Sequence, residues 1–333
     1  MDLPTGRDLS ETVEELSLKV RSSRRERLDQ YLLRKLGWSS RTKIQKLISL
    51  GRVAVNDRPG KPALRLLRGD LVRIELLVES SRREVHAPLS PPLWEDPFLF
   101  TIAKPPGQLV HPTGKTISGT VIDELHLRYR ELNQRGQRSI VPRLCHRLDR
   151  DTSGLLLVAK TLELRRAMQM EFEADRVRKG YLAIVEGELT DRFFEVDAPI
   201  VDAIDRQREH SNRLSRIDQE GRPSLTRFRV LGRGAGLSVV HCRPVTGRQN
   251  QIRVHLASTG YPILGDRGYG SDPEQIELAD GVDFPDRALL HSLQLRFRHP
   301  VWGTERELRC APHSDLWPFL KQAGIDSSSL DPL

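Results

Sequence analysis

A short polar segment directly before an apolar run carries the residues best suited to chemistry. Residues 146–154 read HRLDRDTSG, and the apolar run Leu155–Ala159 follows them. Turn-forming residues immediately before a buried strand place a carboxylate at the mouth of a sheet, where it could act as a catalytic group. Because Asp149 and Asp151 alternate along the chain, they point in different directions, and we expect only one of them to enter a cleft. The alternative is an ordinary loop, since Asp, Thr, Ser and Gly all favour turns.

A second candidate segment, residues 246–256, reads TGRQNQIRVHL. If this segment is helical, Arg253 lies between the apolar Ile252 and Leu256 and projects inward. A buried guanidinium without a carboxylate partner would be too costly to keep. Asp149 is a natural partner, because Arg253 would then hold the acid ionised and fix its orientation. The alternative is a structural ion pair with no catalytic role.

Cysteines, a histidine and a tyrosine elsewhere in the chain carry weaker signals. The three cysteines, Cys145, Cys242 and Cys310, form no C-x-x-C pair, so neither a disulfide framework nor a thiolate zinc site is expected. His241 stands beside a cysteine but lacks a second ligand pair at metal spacing. Tyr181 opens an apolar run, where a lone tyrosine is more often part of the core than a catalyst.

Basic residues are concentrated in one part of the chain. The 333 residues include 53 Lys and Arg against 45 Asp and Glu, which gives a net charge of +8. Residues 19–73 alone hold 16 basic and four acidic residues, a local charge of +12, so the remainder carries −4. Arginines outnumber lysines by 43 to ten, and arginine binds phosphate bidentately and stacks on bases. Codon use in a GC-rich genome would explain the arginines but not the clustering, which predicts a module that binds RNA or DNA.

The basic region is predicted to form a compact unit, residues 21–80, with two helices on a small sheet. Leucines recur every four residues over 28–36, which indicates a first helix, and a second is predicted over Arg41–Leu50. Short strands are expected at Val53–Val55 and Leu71–Leu77. Three cations remain on the outer faces of the second helix: Arg41, Lys43 and Lys46. We expect them to bind nucleic acid, and the alternative is an ordinary solvated helix face.

The rest of the chain has a different composition. Residues 1–20 are polar and are expected to form a flexible tail, and residues 81–93 contain three prolines and read as a linker. Residues 161–178 are predicted to be a helix that Thr161 caps. Five apolar runs are typical of strands: Leu99–Ala103, Leu155–Ala159, Tyr181–Val185, Leu237–His241 and Leu293–Phe297. Several strands with few helices predict an α+β fold for residues 94–325, with a mixed, largely antiparallel sheet.

The basic unit resembles the small RNA-binding fold that is named after a ribosomal small-subunit protein. The resemblance lies in two stretches, ERLDQYLLRKLGWSSRTKIQKLISLGRVAVND and RGDLVRIEL. The order of these segments and the Gly-Arg-Val-x-Val-Asn turn both fit that fold. The resemblance implies a small α/β domain whose basic helices contact RNA.

Five segments of the larger region resemble the RluA-type pseudouridine synthases, and they occur in that family's order. The segments are AKPPGQLVHP (103–112), HRLDRDTSGLLLVAK (146–160), RKGYLAIVEG (178–187), TGRQNQIRVHLASTGYPILGD (246–266) and RALLHSLQLRFRHP (287–300). Together they span roughly residues 94–320, and a basic unit precedes them as it does in many members. The chain departs from the family at one site position, because Asn250 stands where a histidine is usual.

The resemblance implies a specific set of roles. Members isomerise uridine to pseudouridine in RNA with neither a metal nor an organic cofactor. Asp149 is then the essential carboxylate, Tyr181 stacks on or near the target base, and Arg253 pairs with Asp149. Arg147 is expected to help fill the helical space that the target nucleotide leaves when it flips out.

These inferences together predict a two-domain RNA pseudouridine synthase that acts on large-subunit (23S) ribosomal RNA, with transfer RNA as an alternative target. We expect a monomer without metal, cofactor or membrane contact. No apolar segment suits a membrane span or a secretory signal, so the protein is expected to be cytoplasmic. A second hypothesis is a non-catalytic RNA-binding or ribosome-assembly factor on the same fold, in which Asn250 marks lost activity. A third, a nucleoside hydrolase acting on small molecules, is disfavoured by the basic unit.

Overall fold

The chain forms two compact units. The computed structural model of the protein describes residues 15–21, 25–35, 41–75, 89–111, 119–134, 140–204, 213–270, 276, 278 and 281–330. One unit comprises residues 1–88 together with 109–139, and the other comprises residues 89–108 together with 140–333. Each unit is described separately below.

In its described residues, the first unit contains four strands and three helices. They are β1 (Glu15–Lys19), α1 (Leu28–Lys35), α2 (Arg41–Ser49), β2 (Val53–Val55), β3 (Arg58–Pro59), β4 (Leu71–Glu75) and α3 (Val121–Gln134). The strands form an antiparallel sheet in the order β1-β4-β2-β3. Leu28 and Leu32 of α1 and Ile44 of α2 are fully buried in one apolar cluster with residues of this sheet. The predicted pair of amphipathic helices on a small sheet is therefore present.

The N-terminal segment differs from the prediction. The sequence analysis assigns residues 1–20 to a tail, but Glu15–Lys19 pair in register with β4 as strand β1. Leu18 and Val20 are buried, since alternate residues of an extended segment share one face. The tail prediction is therefore wrong for residues 15–20. Residues 1–14 lie outside the described part of the chain, as do residues 81–88 of the predicted linker.

The second unit holds the larger sheet. Its strands are β5 (Trp94–Glu95), β6 (Leu99–Lys104), β7 (Arg143–Leu144), β8 (Ser153–Ala159), β9 (Arg178–Glu186), β10 (Phe193–Asp197), β11 (Ile200–Ile204), β12 (Arg213–Ile217), β13 (Leu225–Gly234), β14 (Leu237–Pro244), β15 (Leu290–Arg298) and β16 (Glu305–Arg309). Its helices are α4 (Leu162–Glu173), α5 (Gln251–Ser258) and α6 (Trp317–Gln322).

Ten of these strands form one mixed sheet. The order is β10-β13-β14-β9-β15-β8-β6-β5, with β16 added beside β15 and β7 beside β8. Within the described residues, β15 and β8 are the one parallel pair, and the other pairs are antiparallel. The prediction of an α+β fold with a mixed, largely antiparallel sheet is confirmed. No helix in the described ranges is both long enough and apolar enough to cross a membrane.

Helix α4 begins as predicted and ends early. The Thr161 side chain accepts a hydrogen bond from the Leu164 amide and caps the helix. The helix ends at Glu173 rather than at Arg178, because Asp175 adopts a left-handed conformation with φ 53°. This turn lets the chain enter β9 directly at Arg178.

A glycine controls how the loop before β8 meets its parallel neighbour. Gly154 has φ +107°, and a Cβ atom there would lie 2.2 Å from the Ser292 carbonyl oxygen of β15. A residue with a side chain would therefore clash with backbone that cannot move aside. The close approach places residues 146–153 beside β15 and β9.

Candidate active site

A cavity of about 580 Å³ brings the predicted catalytic residues together. Much of its lining comes from three segments: the loop before β8, the start of β9, and the turn into α5 with the first residues of that helix. Asp149, Tyr181 and Arg253 each come from a different one of these segments, and all three line the cavity. Arg147 also lines it and is exposed to solvent. Asp151 does not line it, so one of the two alternating acids enters the cleft, as the sequence predicts.

Two buried cations hold the backbone of the loop that carries Asp149. The Lys104 ammonium donates to the Arg150 carbonyl at 2.8 Å and to two further carbonyls of its own turn. The Arg287 guanidinium donates to the Asp151 carbonyl at 2.9 Å. Both cations are at least nine-tenths buried. The loop is thus positioned through its backbone, which leaves the Asp149 side chain available to the cavity.

His146 supports the same loop from inside. Its Nε2 accepts a hydrogen bond from the Leu157 amide at 3.0 Å, and its ring stacks on Phe172 with centroids 4.8 Å apart. Burial lowers the pKa of His146 to about 3. The ring is therefore neutral at physiological pH and serves as a structural acceptor rather than as an acid.

The main partner of Arg253 differs from the one that the sequence suggests. Its Nε and Nη2 donate to the two carboxylate oxygens of Asp266, each at 2.6 Å, and the Asp266 side chain is 1% exposed. The distance from Arg253 Nη1 to Asp149 Oδ2 is 3.9 Å, which is too long for a hydrogen bond. Asp266 thus anchors the guanidinium, and Asp149 interacts with it through space.

Asn250 completes the anchoring of Arg253. It adopts a left-handed conformation with φ 55°, which asparagine tolerates better than most residues. Its Oδ1 accepts from Arg253 Nη1 at 3.1 Å, and its Nδ2 donates to the Tyr269 hydroxyl at 3.4 Å. Tyr269 in turn donates to the Ser215 carbonyl at 2.7 Å and lies beneath the guanidinium. The amide oxygen at position 250 is therefore an acceptor at every pH, which the ring of a histidine would not be.

Burial and nearby charges act on the pKa of Asp149 in opposite directions. Burial raises the pKa of Asp149, and the positive charges of Arg253 and Arg147 lower it by less. Arg253 therefore favours the ionised acid, as expected, while desolvation opposes ionisation more strongly than the guanidinium groups favour it. Among the described residues, no group donates a hydrogen bond to this carboxylate.

Tyr181 presents an aromatic ring inside the cavity. Burial and the nearby charge of Asp149 both raise the pKa of the Tyr181 phenol. The side chain is therefore uncharged at any physiological pH and cannot act as a phenolate base. A neutral aromatic face can stack on a planar base, which agrees with the expectation for this residue.

The mouth of the cavity carries several cations. Arg147, Arg222 and Arg248 line it, and two acids, Glu173 and Asp175, also lie there. Arginines at the rim of a cleft attract phosphate groups. Together, the rim, the aromatic ring and the carboxylate can hold a planar ring and stabilise positive charge that develops beside it.

Three cations predicted to bind RNA belong to helix α2 of the first unit. Helix α2 forms over Arg41–Ser49 as expected. The side chains of Arg41, Lys43 and Lys46 lie outside the described part of the structure. Their role stays a prediction.

Within the ranges that the structure describes, no group of three or more His, Cys, Asp or Glu side chains is arranged to hold a metal ion. The three cysteines are all buried and free.

Comparison with known proteins identifies the family. Residues 99–258 match the family model of RNA pseudouridylate synthase, and residues 26–72 match the S4 domain. A ribosomal large subunit pseudouridine synthase C from Escherichia coli O157:H7 is 35% identical over 304 residues, which cover 87% of this chain and 90% of that protein. The chain belongs to the RNA pseudouridylate synthase family. Both resemblances inferred from the sequence are thereby confirmed, and the protein is an RNA pseudouridine synthase with an S4 domain.

Other members of the family give the same result. A ribosomal large subunit pseudouridine synthase D from Nitrosomonas europaea is 36% identical over 282 residues, which cover 83% of this chain and 78% of that protein. The solved structure of human RNA Pseudouridylate Synthase Domain Containing 4 matches with a TM-score of 0.57 and 25% identity, over 71% of this chain and 93% of that one. This synthase therefore shares the fold of a solved member.

Asp266 is the site residue that the sequence reasoning did not single out. It lies at the end of the segment TGRQNQIRVHLASTGYPILGD, 13 residues after the arginine that it binds. The available signal was the demand for charge balance. A buried arginine needs a carboxylate as its direct partner, and an acid that faces the cavity is not free to be that partner. A second carboxylate near Arg253 follows from that demand.

The raised pKa of Asp149 predicts the acidic side of the pH profile. If this synthase needs the ionised carboxylate, kcat/KM should fall at a higher pH than the roughly 3.9 of an unperturbed aspartate. Arg147 lowers the pKa of Asp149, so Arg147→Gln should move this fall in kcat/KM to still higher pH. Rates measured from pH 4 to 8 test this. Arg150→Gln, which removes an exposed neighbouring charge, is the control and should leave the pH of the fall unchanged.

Proposed function

We propose that the protein converts specific uridines to pseudouridine in large-subunit ribosomal RNA. The observation that carries this proposal is the cavity, where a carboxylate, an aromatic ring and a guanidinium from three separate segments converge. Relatives named ribosomal large subunit pseudouridine synthase C or D match over most of their length, which supports the choice of RNA.

In this proposal each of the cavity residues has a separate role in the reaction. The ionised Asp149 stabilises the positive charge that develops on the sugar, or bonds to it, as the C1′–N1 bond of uridine breaks. Tyr181 holds the detached uracil while it rotates. Bonding of C1′ to C5, loss of the C5 proton and protonation of N1 complete an isomerisation without net gain or loss of atoms. Arg253, anchored by Asp266, sets the charge that faces Asp149.

The basic parts of the protein are proposed to bind the RNA. Arg147 at the mouth of the cavity helps to fill the space of the everted nucleotide, which costs a few kcal/mol to flip out. Phosphate contacts from the module at residues 21–80 offset that cost, and residues 94–325 carry out catalysis. The proposal includes a cytoplasmic monomer that uses neither a metal nor an organic cofactor.

The choice of target can be tested directly. The protein is incubated with 23S, 16S and transfer RNA made by transcription, and pseudouridines are located by carbodiimide treatment and primer extension. We expect new stops in the 23S RNA. Stops confined to transfer RNA or 16S RNA would refute the target, and no stop in any RNA would refute catalysis by this cavity.

The predicted role of the α2 cations gives a second test. Replacing Arg41, Lys43 and Lys46 by Gln should weaken binding to the 23S transcript and reduce the slope of log K against log salt by about 2, since each lost phosphate contact lowers it by roughly 0.7–0.9. Filter binding from 50 to 300 mM salt measures both. The control is a variant that loses three exposed arginines elsewhere, Arg166→Gln, Arg216→Gln, Arg233→Gln. If the α2 variant and the control weaken binding equally, the prediction is contradicted.

A further inference from the structure

The face of the ten-stranded sheet opposite the cavity carries a row of arginines. Arg229 of β13 lies directly opposite His241 of β14, and His241 lies directly opposite Leu182 of β9. Alternate residues of a strand share a face, so Arg243 and Arg178 lie on this face as well. Arg178 and Arg243 are exposed, and Arg229 is partly exposed. Arg178, Arg229 and Arg243 are called the arginine face below.

These three arginines differ from their neighbours on the same face. Within the described residues, Arg229 and Arg243 form no ion pair with a carboxylate, and the Nε of Arg229 has no hydrogen-bond acceptor. Among these residues, Arg178 has no carboxylate oxygen within 4 Å either, although its charge acts on Glu305, the partner of Arg296. Neighbouring arginines are paired, as the following contacts show: Arg227 with Glu195 at 3.3 Å, Arg309 with Glu307 at 2.9 Å, and Arg296 with Glu305. The paired arginines carry little net charge, so the positive charge of this face is concentrated on the arginine face.

The group beneath the arginines does not neutralise them. His241 is 6% exposed, and its Nε2 has no hydrogen-bond partner. Burial and the charges of Arg243, Arg229 and Arg309 together lower the pKa of His241 to about 4. Arg309 is paired with Glu307, but Arg229 and Arg243 are not paired with a carboxylate of the described residues, and two unpaired guanidinium groups beside a neutral imidazole indicate a site that an external anion completes.

Two residues of the arginine face lie at the edge of the sheet where β9 begins and β14 ends, next in sequence to cavity residues. Arg178 immediately precedes Lys179, and Arg243 immediately precedes Pro244, and both of these neighbours line the cavity. Strands β13, β14 and β9 are adjacent, and the register places the backbone of Arg229 about 10 Å across the strands and about 13 Å along them from that of Arg178, so the three arginines lie on a diagonal of roughly 16 Å. Phe193, which lies opposite Arg229 on β10, is 64% exposed. A polyanion that leaves the cavity over these strand ends would meet three cations and then an aromatic ring.

We propose that the arginine face binds the phosphate backbone of the substrate RNA outside the cavity, on a segment that runs past the strand ends. This inference rests on the proposed function, because it assigns the partner as the RNA that the cavity modifies. Arginine is suited to this role because its planar group binds phosphate oxygens bidentately. The contact adds affinity and orientation without reading base sequence.

The test compares two variants with equal loss of charge. One replaces Arg178, Arg229 and Arg243 by Gln, and the control is the Arg166→Gln, Arg216→Gln, Arg233→Gln variant described above. The probe is the 23S transcript on which the wild-type protein leaves pseudouridine. We expect the first variant to bind at least about tenfold more weakly at 0.1 M salt and to lose about 2 from the salt slope, while the control changes little. At saturating RNA, its kcat should stay near that of the wild type.

The outcomes separate the two proposals. If the first variant binds the RNA as tightly as the wild type, the proposed role of the arginine face is overturned. It is also overturned if both variants lose affinity equally, because that loss would reflect bulk charge. A lysine variant of the same three positions should recover most of the affinity, because it keeps the charge. If the triple glutamine variant does not fold, the exposed pair Arg178→Gln, Arg243→Gln is measured against Arg166→Gln, Arg233→Gln with the same criteria. Absence of pseudouridine with wild-type protein would instead refute the proposed function.

Discussion

Replacing Asp149 by Asn should abolish pseudouridine formation and make the protein more stable at neutral pH. The amide keeps the shape of the side chain but cannot stabilise positive charge on the sugar, so we expect kcat to fall by at least about 10³-fold, as when one preorganised electrostatic group is lost. Binding of the 23S transcript should change little. Carbodiimide primer extension and filter binding measure these two effects.

The gain in stability follows from the raised pKa of Asp149. Since the folded pKa lies above the unfolded pKa, the folded protein binds more protons between the two values, and its stability falls as pH rises through that window. Above the folded pKa of Asp149 the full penalty for burying the charge is present, and the Asp149→Asn substitution would remove it. The Tm advantage of the variant should therefore grow as pH rises and should vanish below about pH 3.9.

Asp151→Asn is the matched control, because it changes the other acid of the same loop outside the cavity. It should retain most of the activity and show no gain in Tm of this kind. Full turnover by Asp149→Asn, or a lower Tm than that of the wild type at pH 7, would contradict this account of the site.

Replacing Asp266 by Asn should have the largest effect on stability. The change leaves the guanidinium of Arg253, which is 19% exposed, without its buried counter-charge. Breaking a buried ion pair on one side typically costs about 3–5 kcal/mol, because the remaining charge is uncompensated. We expect a loss of this size in the free energy of unfolding in urea, together with a fall in kcat, since Arg253 loses the anchor that sets its position near Asp149.

Asp218→Asn serves as the control for Asp266→Asn, because Asp218 forms an exposed pair with Arg216 at 3.1 Å. Surface pairs contribute little, so the urea midpoint of this variant should stay near that of the wild type. If both variants shifted the midpoint equally, Asp266 would not be the anchor that the structure indicates.

Much of the cavity could be predicted from the sequence because local patterns determine its parts. The turn-rich segment before β8 predicts where Asp149 emerges, and Thr161 predicts the start of α4. The apolar runs predict β6, β8, β9, β14 and β15, although four of these strands extend several residues further. Extension of strands depends on partners across the sheet, which no local pattern contains.

The parts that escaped prediction depend on contacts between distant residues. The choice of Asp266 over Asp149 as the partner of Arg253 is decided by distances of 2.6 Å against 3.9 Å, and sequence spacing does not encode that difference. The sign of the pKa shift of Asp149 depends on burial, which follows from packing. Strand β1 was missed because its pairing with β4 joins segments more than fifty residues apart.

The parallel pairing of β8 with β15 has a consequence for biosynthesis. The hydrogen bond between Ser153 and His291 joins residues 138 positions apart. At an elongation rate of about 5–20 residues per second, roughly 7–30 s pass between their emergence during translation. During that interval the loop bearing Asp149 lacks both strand β15 and the hydrogen bond from Arg287 to the Asp151 carbonyl. A nascent chain therefore gains a competent cavity only after β15 has emerged, so a chain that stops before residue 291 cannot form the site.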